Sequence, residues 1–258
     1  MTIETILEQY SRRATCRQFS DRPVSPELID RLLEAAAHAP TTGNMQLYSV
    51  VVSTASGDLE RLAPLHSNQP AAAGCRAMLT FCVDFNRFKK WCEAGRADYG
   101  FDNFHSFLVG VIDTTIFAQQ FVTLAEAAGL GTCYLGTATY SAAAIAEALG
   151  LPRRVVPVIT IATGYPADGV ELRPSDRLPV GAIRHAGQYN DYSPSDIARI
   201  YGPKEALPEN LEFVRVNGKE SLAQVYTDLR YTRADNERLS CLYAEFIDPE
   251  FGVEIREK

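Results

Sequence analysis

Residues 113–137 read DTTIFAQQFVTLAEAAGLGTCYLGT, and the order of elements inside that stretch decides the fold. Ala118, Phe121, Val122, Ala125 and Ala128 recur at helical spacing, with Asp113 expected as the N-cap and Gly129 as the left-handed stop. A helix this apolar nearly all round belongs in the centre of a fold or at a subunit interface. A short strand, residues 132–135, is expected to follow at once. The glycines therefore come after a helix and lead into a strand. A dinucleotide fingerprint needs the opposite order: a strand, then glycines, then a helix whose N-terminus meets the pyrophosphate. A Rossmann nucleotide-binding domain is not supported.

Working outward, residues 47–53 (LYSVVVS) and 77–84 (AMLTFCVD) read as buried strands, and residues 141–149 as a helix before a strand over 155–163. Upstream, residues 2–10 are weakly helical. Ser25 and Pro26 form an N-cap and first helical position; Leu28, Ile29, Leu32, Leu33 and Ala36 mark one apolar face, and Pro40 ends that helix. Downstream of Tyr165, Pro166, Pro174 and Pro179 punctuate an irregular stretch. The remainder is polar and tyrosine-rich, with helices expected over 193–201 and 221–246. Helices and strands alternate irregularly, so the fold class is α+β. One domain is expected over 1–258, with a core of 1–185 and an extension, 186–258, packing on the core or a partner.

The 258 residues suffice for a large core, and 46% hydrophobic with 22% charged residues is ordinary globular composition. A net charge of -7 repels a phosphate backbone, so nucleic acid is not an expected partner. The first residues lack a secretory apolar core, and the longest apolar run, near 155–162, is too short for a bilayer. Six cysteines form no CxxC pair and no compact framework, which fits a reducing cytoplasm.

Three further stretches bear chemistry-capable side chains. Arg13-Ala14-Thr15-Cys16-Arg17 offers two guanidinium groups and a hydroxyl for a phosphate and an electron-rich neighbour, or simply complements the helix dipole before it. Ala39 to Gln46 (APTTGNMQ) carries hydroxyls and amides that suit a heterocycle's edge, or a turn. Arg173-Pro174-Ser175-Asp176-Arg177 puts two arginines on a stiffened loop that closes over a phosphate or faces solvent. His38, His66, His105 and His185 are scattered without metal-ligand spacing, and no GxSxG is present, so no metal site and no hydrolytic nucleophile is expected.

Taken together and in order, residues 12–46, 81–88, 113–137 and 151–179 resemble the FMN-dependent nitroreductase family. They look most like its NADPH-preferring branch of oxygen-insensitive nitroreductases and flavin reductases. The resemblance implies a central, mostly antiparallel sheet flanked by helices, in an interwoven homodimer with FMN sites at the interface. It assigns Arg13 and Thr15 to the FMN phosphate and ribityl region, and Arg17 to the N1 and C2 carbonyl edge of the ring. Thr41, Gln46 and Gln69 match polar contacts, Tyr134, Leu135, Gly136 and Thr137 a segment alongside the flavin, and Arg173 and Arg177 a phosphate clamp. The chain departs from the family pattern at Ala14 and Cys16, and in the spread of the last arginine pair by Ser175 and Asp176.

The activity so implied is hydride transfer from NADPH or NADH to FMN, then by ping-pong kinetics to a nitroaromatic, quinone or flavin. No catalytic side chain is expected, because the flavin carries the redox chemistry. Lys204, Arg215, Lys219, Arg230 and Arg233 are the tail cations available to a 2'-phosphate, or are solvated charges. Two alternatives stand: another flavoenzyme of this fold, dehalogenating or flavin-fragmenting, and a non-enzymatic FMN-binding regulatory protein.

Overall fold

The computed structural model describes residues 2–253; Met1 and the last part of the expected extension, 254–258, lie outside the described residues. The chain divides into two compact units. One comprises Arg13–Arg173 and Leu239–Lys258, the other Met1–Arg12 and Pro174–Arg238, so the division falls ahead of the expected boundary at 185.

Helix α1 (Ile3–Ser11) starts on Thr2, and α2 (Pro26–Ala36) on Ser25, whose hydroxyl accepts the Leu28 N–H at 3.2 Å. Pro26 fits the first turn of α2 because its absent N–H would have had no partner there. Next come β1 (Tyr48–Ser53), α3 (Ser56–Leu62), α4 (Pro70–Gly74), β2 (Ala77–Asp84) and α5 (Phe85–Ala94). The long helix α6 (Phe104–Ala127) leads into β3 (Gly131–Leu135), α7 (Ala142–Ala148) and β4 (Val155–Gly164). The last helices are α8 (Pro194–Glu205), α9 (Pro208–Val216), α10 (Leu222–Val225) and α11 (Arg233–Phe251).

The four strands form one sheet in the order β1-β2-β4-β3, with every neighbouring pair antiparallel. β2 is buried along its whole length, as its largely apolar run, interrupted only by Thr80 before Asp84, suits a central strand. Pro157, which cannot donate to a ladder, stands where the β2–β4 register shifts at Phe81/Cys82. On one sheet face Phe81 and Ile161 pack with Ile29 and Leu32 of α2 and Phe117, Phe121 and Val122 of α6. A second cluster joins Met78, Leu135 and Ala162 to Leu62 and Ala71. Ile247 and Phe251, at the end of α11, close a third with Phe85 and Phe107.

α6 departs from its expected form. It begins at Phe104, where Asn103 caps the Ser106 N–H at 3.0 Å, and Asp113 lies mid-helix at 1% exposure. Residues 104–112 simply continue the apolar phase, and the Asp113 carboxylate finds partners outside its own helix. Gly129, at φ +83°, provides the expected stop. Gly110 lets α6 approach the sheet: a Cβ there would stand 2.8 Å from Val83 Cγ1. By length and composition α6, and not 155–162, is the stretch that could cross a bilayer, yet ten of its residues are buried within the protein. Its opposite stripe, Phe104, Leu108, Ile112 and Ile116, is exposed. The single helix expected over 221–246 is instead α10, a wide turn over Tyr226–Arg230 and α11. Thr232 restarts it by accepting the Asp235 N–H at 3.1 Å.

Candidate active site

The segment after Arg12 runs extended beside β3, held where the Cys16 N–H donates to the Thr132 carbonyl at 3.0 Å. Gly131 makes that approach feasible, since a Cβ there would fall 2.5 Å from the Cβ of fully buried Cys16. Thr15 and Arg17 thereby face an open cavity of about 560 Å³, whose opposite lining is the loop Asp168 to Arg173. Arg17 is exposed, and no carboxylate lies within ion-pair distance of it among the described residues. Arg173 does have a partner: Glu171 accepts from it at 2.7 Å and raises its pKa further. Asp168 shares the same lining.

Arg13 sits beside this cavity and is only half-buried. Its Nε meets Glu126 of α6 at 3.2 Å and its NH1 donates to Thr15 Oγ1 at 3.4 Å. Glu126 also accepts from the Thr132 hydroxyl at 2.5 Å, so one carboxylate ties the arginine segment to β3. Beyond β3 the chain turns at Gly136, beside which no heavy atom lies within 4 Å of a hypothetical Cβ. Thr137 Oγ1 then accepts from Gln69 Nε2 at 3.4 Å and lies 2.9 Å from His66 Nδ1. Between these two ends, Leu135 is buried and Tyr134 donates to Gln119 at 3.0 Å. Burial pushes the Tyr134 hydroxyl up to about 12, which leaves it a neutral donor.

Thr41 and Gln46 form a third group. Asp113 accepts from Thr41 Oγ1 at 2.5 Å, from the Thr42 N–H at 3.0 Å and from Thr42 Oγ1 at 3.0 Å. Thr41 Oγ1 in turn accepts the Gln46 N–H at 3.0 Å, and Gln46 takes a left-handed φ of +53°. A buried carboxylate thus shapes the whole 41–46 turn.

Of the site residues expected from sequence, Thr15, Arg17 and Arg173 share one cavity with Arg13 at its edge, Gln69 meets Thr137, and Thr41 meets Gln46. Arg177 belongs to the other unit, where its NH1 donates to the Asp176 carbonyl at 2.9 Å. Asp176 itself pairs with Lys204 at 2.6 Å. The remaining tail cations are also engaged: Arg215 with Glu212, Lys219 with Asp228, Arg233 with Glu237, and Arg230 over the Phe213 ring. Sequence reasoning missed Glu126 and His66, and read Asp113 only as a cap. An acid inside an otherwise apolar helix was the one available signal for Asp113 and Glu126.

This donor set suits a phosphorylated, flat, electron-accepting cofactor. Guanidinium and hydroxyl groups stand at one end of β3 and neutral amide and hydroxyl donors at the other, roughly 16 Å apart for five strand residues. Comparison with known proteins bears on the same region. The Cr(VI) reductase of Pseudomonas sp. (strain G-1) is 33% identical over 76% of this chain and 80% of its own length. The FMN reductase (NADPH) of Bacillus subtilis is 32% identical over 73% and 74%. A solved structure from Bacteroides fragilis NCTC 9343 is 45% identical, covers 94% of this chain and 98% of its own, and superposes with a TM-score of 0.90. The model of the nitroreductase family matches residues 10–165, which contain every element of the sheet and all but two of the candidate residues, and the chain belongs to that family.

Proposed function

We propose that the chain is an FMN-dependent NAD(P)H oxidoreductase that reduces small electron acceptors such as nitroaromatics, quinones or flavins. The carrying observation is that Thr15 and Arg17 line one cavity with Arg173, from a distant part of the sequence. Bound there, FMN supplies a ring that takes up a hydride equivalent and passes it on.

The protein's part is position and electrostatics. Arg173 and Thr15 hold the phosphate, with Arg173 exchanging the Glu171 carboxylate for it, because bidentate guanidinium–phosphate bonds are strong. Arg13 is held by Glu126 and orients Thr15. Arg17, which no carboxylate approaches within ion-pair distance among the described residues, would stabilise negative charge at the N1 and C2 carbonyl edge of a bound flavin. Gln69 and Thr137 supply neutral hydrogen bonds, and Gly136 leaves room for a flat ring to lie against backbone. Thr41, Gln46, Tyr134 and Leu135 complete the site. No side chain is assigned as a proton donor; water reaches an open site.

The exposed stripe of α6 is the surface on which a second copy packs, making a homodimer. Six free thiols accord with a reducing cytoplasm, and the net charge of -7 with the absence of a nucleic-acid partner. NADPH is the proposed donor, in line with the Bacillus subtilis relative.

An absorbance spectrum of the purified protein, followed by anaerobic NADPH and then a panel of acceptors, tests this reading. A yellow protein that bleaches with NADPH and recovers its colour with nitroaromatic or quinone is expected. A protein that takes up no FMN overturns the assignment, and one that binds FMN but does not bleach is a binding protein.

A further inference from the structure

His66 closes the short turn Ala63–His66 and is the one fully buried histidine, at 0% exposure. Its Nδ1 lies 2.9 Å from Thr137 Oγ1, the oxygen that also accepts from Gln69 Nε2. Its Nε2 is buried without a partner among the described residues. Between the two side chains, Ser67 and Asn68 both take left-handed backbone, at φ +57° and +47°. Two consecutive non-glycine residues in that region mark a turn held against its preference. Its effect is to bring residues 66 and 69 to a single hydroxyl.

A threonine hydroxyl accepts two hydrogen bonds and donates one. Were the imidazole proton on Nε2, a buried N–H would lack an acceptor and Thr137 would give its own proton to Nδ1. With the proton on Nδ1, the only defect is an unshared lone pair, and buried N–H groups are the ones rarely left orphaned. In the second arrangement His66 and Gln69 fill both lone pairs of Thr137, so the hydroxyl proton must point elsewhere. Thr137 is only half-buried, and beside it Gly136 leaves open space. Burial pushes the His66 pKa down to about 4, so the ring is neutral at physiological pH, as a lone pair on Nε2 requires.

We propose that His66 is a positioning residue that fixes the Thr137 hydroxyl as a hydrogen-bond donor to the flavin, with Gln69 as its second support. This rests on the FMN reading above. The test is the FMN dissociation constant, read by quenching of flavin fluorescence, together with the flavin midpoint potential. His66→Leu is expected to weaken FMN roughly 3- to 10-fold, the worth of one hydrogen bond. In a Thr137→Val background the same change is expected to add less than about 2-fold, because the hydroxyl it acts through is gone. The potential is expected to shift in His66→Leu and Thr137→Val alike.

His66→Asn places an amide donor near the Nδ1 position and His66→Gln near Nε2, so only the Asn variant is expected to bind FMN like the parent. That pair carries the test should the Leu variant fail to fold. Parent-like binding by His66→Leu, a full effect in the Thr137→Val background, or equal affinities for the Asn and Gln variants overturns the proposal. A parent protein that binds no FMN sinks the flavin reading instead.

Discussion

The two compact units differ in the polar contacts that they use most. In the unit of Arg13–Arg173, side-chain bonds join segments far apart in sequence: Thr41 to Asp113, Arg13 to Glu126 and His66 to Thr137. In the unit of Pro174–Arg238, many ion pairs link residues three apart on one exposed helix, as in Arg199–Asp196, Arg215–Glu212 and Arg238–Asp235. Contacts of the first kind fix where a loop sits, and breaking one leaves a buried group without a partner. Those of the second kind stand in water, contribute little and place nothing. The difference locates the structural investment of the molecule: the candidate cofactor site is braced from behind by carboxylates and one imidazole.

The contrast can be broken in order of expected effect. Asp113→Ala removes the acceptor for two hydroxyls and one backbone N–H and opens a gap beside α6. It is expected to cost about 4 kcal/mol, lowering Tm by roughly 8–16 °C in a chain of this size. A shift no larger than that of a surface variant would show that the 41–46 turn is not held from α6.

His66 gives a pH signature of similar order. Its folded pKa is lowered to about 4 from an ordinary 6.5 because burial penalises the charged ring. Between those values the unfolded chain binds a proton that the folded chain does not, so stability falls as pH drops through the window, by up to about 3 kcal/mol. Denaturant unfolding at pH 7 and pH 4 measures it. The loss is expected to be smaller in His66→Asn than in the parent, and an identical pH dependence contradicts a neutral buried imidazole.

Glu126→Gln keeps the shape but removes the charge that holds Arg13, and is expected to cost about 1–2 kcal/mol by denaturant unfolding. The same variant sharpens the comparison, because it also frees Arg13. Arg215→Ala marks the opposite limit, with no resolvable change expected in the same measurement.

Much of the fold was legible in sequence because the signals were local. β2 is readable from its largely apolar run, the start of α2 from Ser25-Pro26, and the end of α6 from Gly129. The start of α6 misled because Asp113, a natural cap, has its partners in the 41–46 turn, 72 residues away from Thr41. Helices α3 and α4, of seven and five residues, are too short for a period to show. The exposed cations of the site were legible by type, Arg17 and Arg173 above all. Its braces were not, since Glu126 lies 113 residues from Arg13 and His66 lies 71 from Thr137, and only tertiary packing pairs them.

The central claim, that Arg173 meets a phosphate in the cavity while Arg17 faces the flavin ring, has one direct test. FMN and riboflavin, which lacks the phosphate, are titrated against the parent, Arg173→Ala and Arg17→Ala. Arg173→Ala is expected to weaken FMN roughly 10-fold or more while leaving riboflavin unchanged, and Arg17→Ala to weaken both ligands alike. Equal losses of FMN and riboflavin in Arg173→Ala, or no loss of either in both variants, would contradict the account.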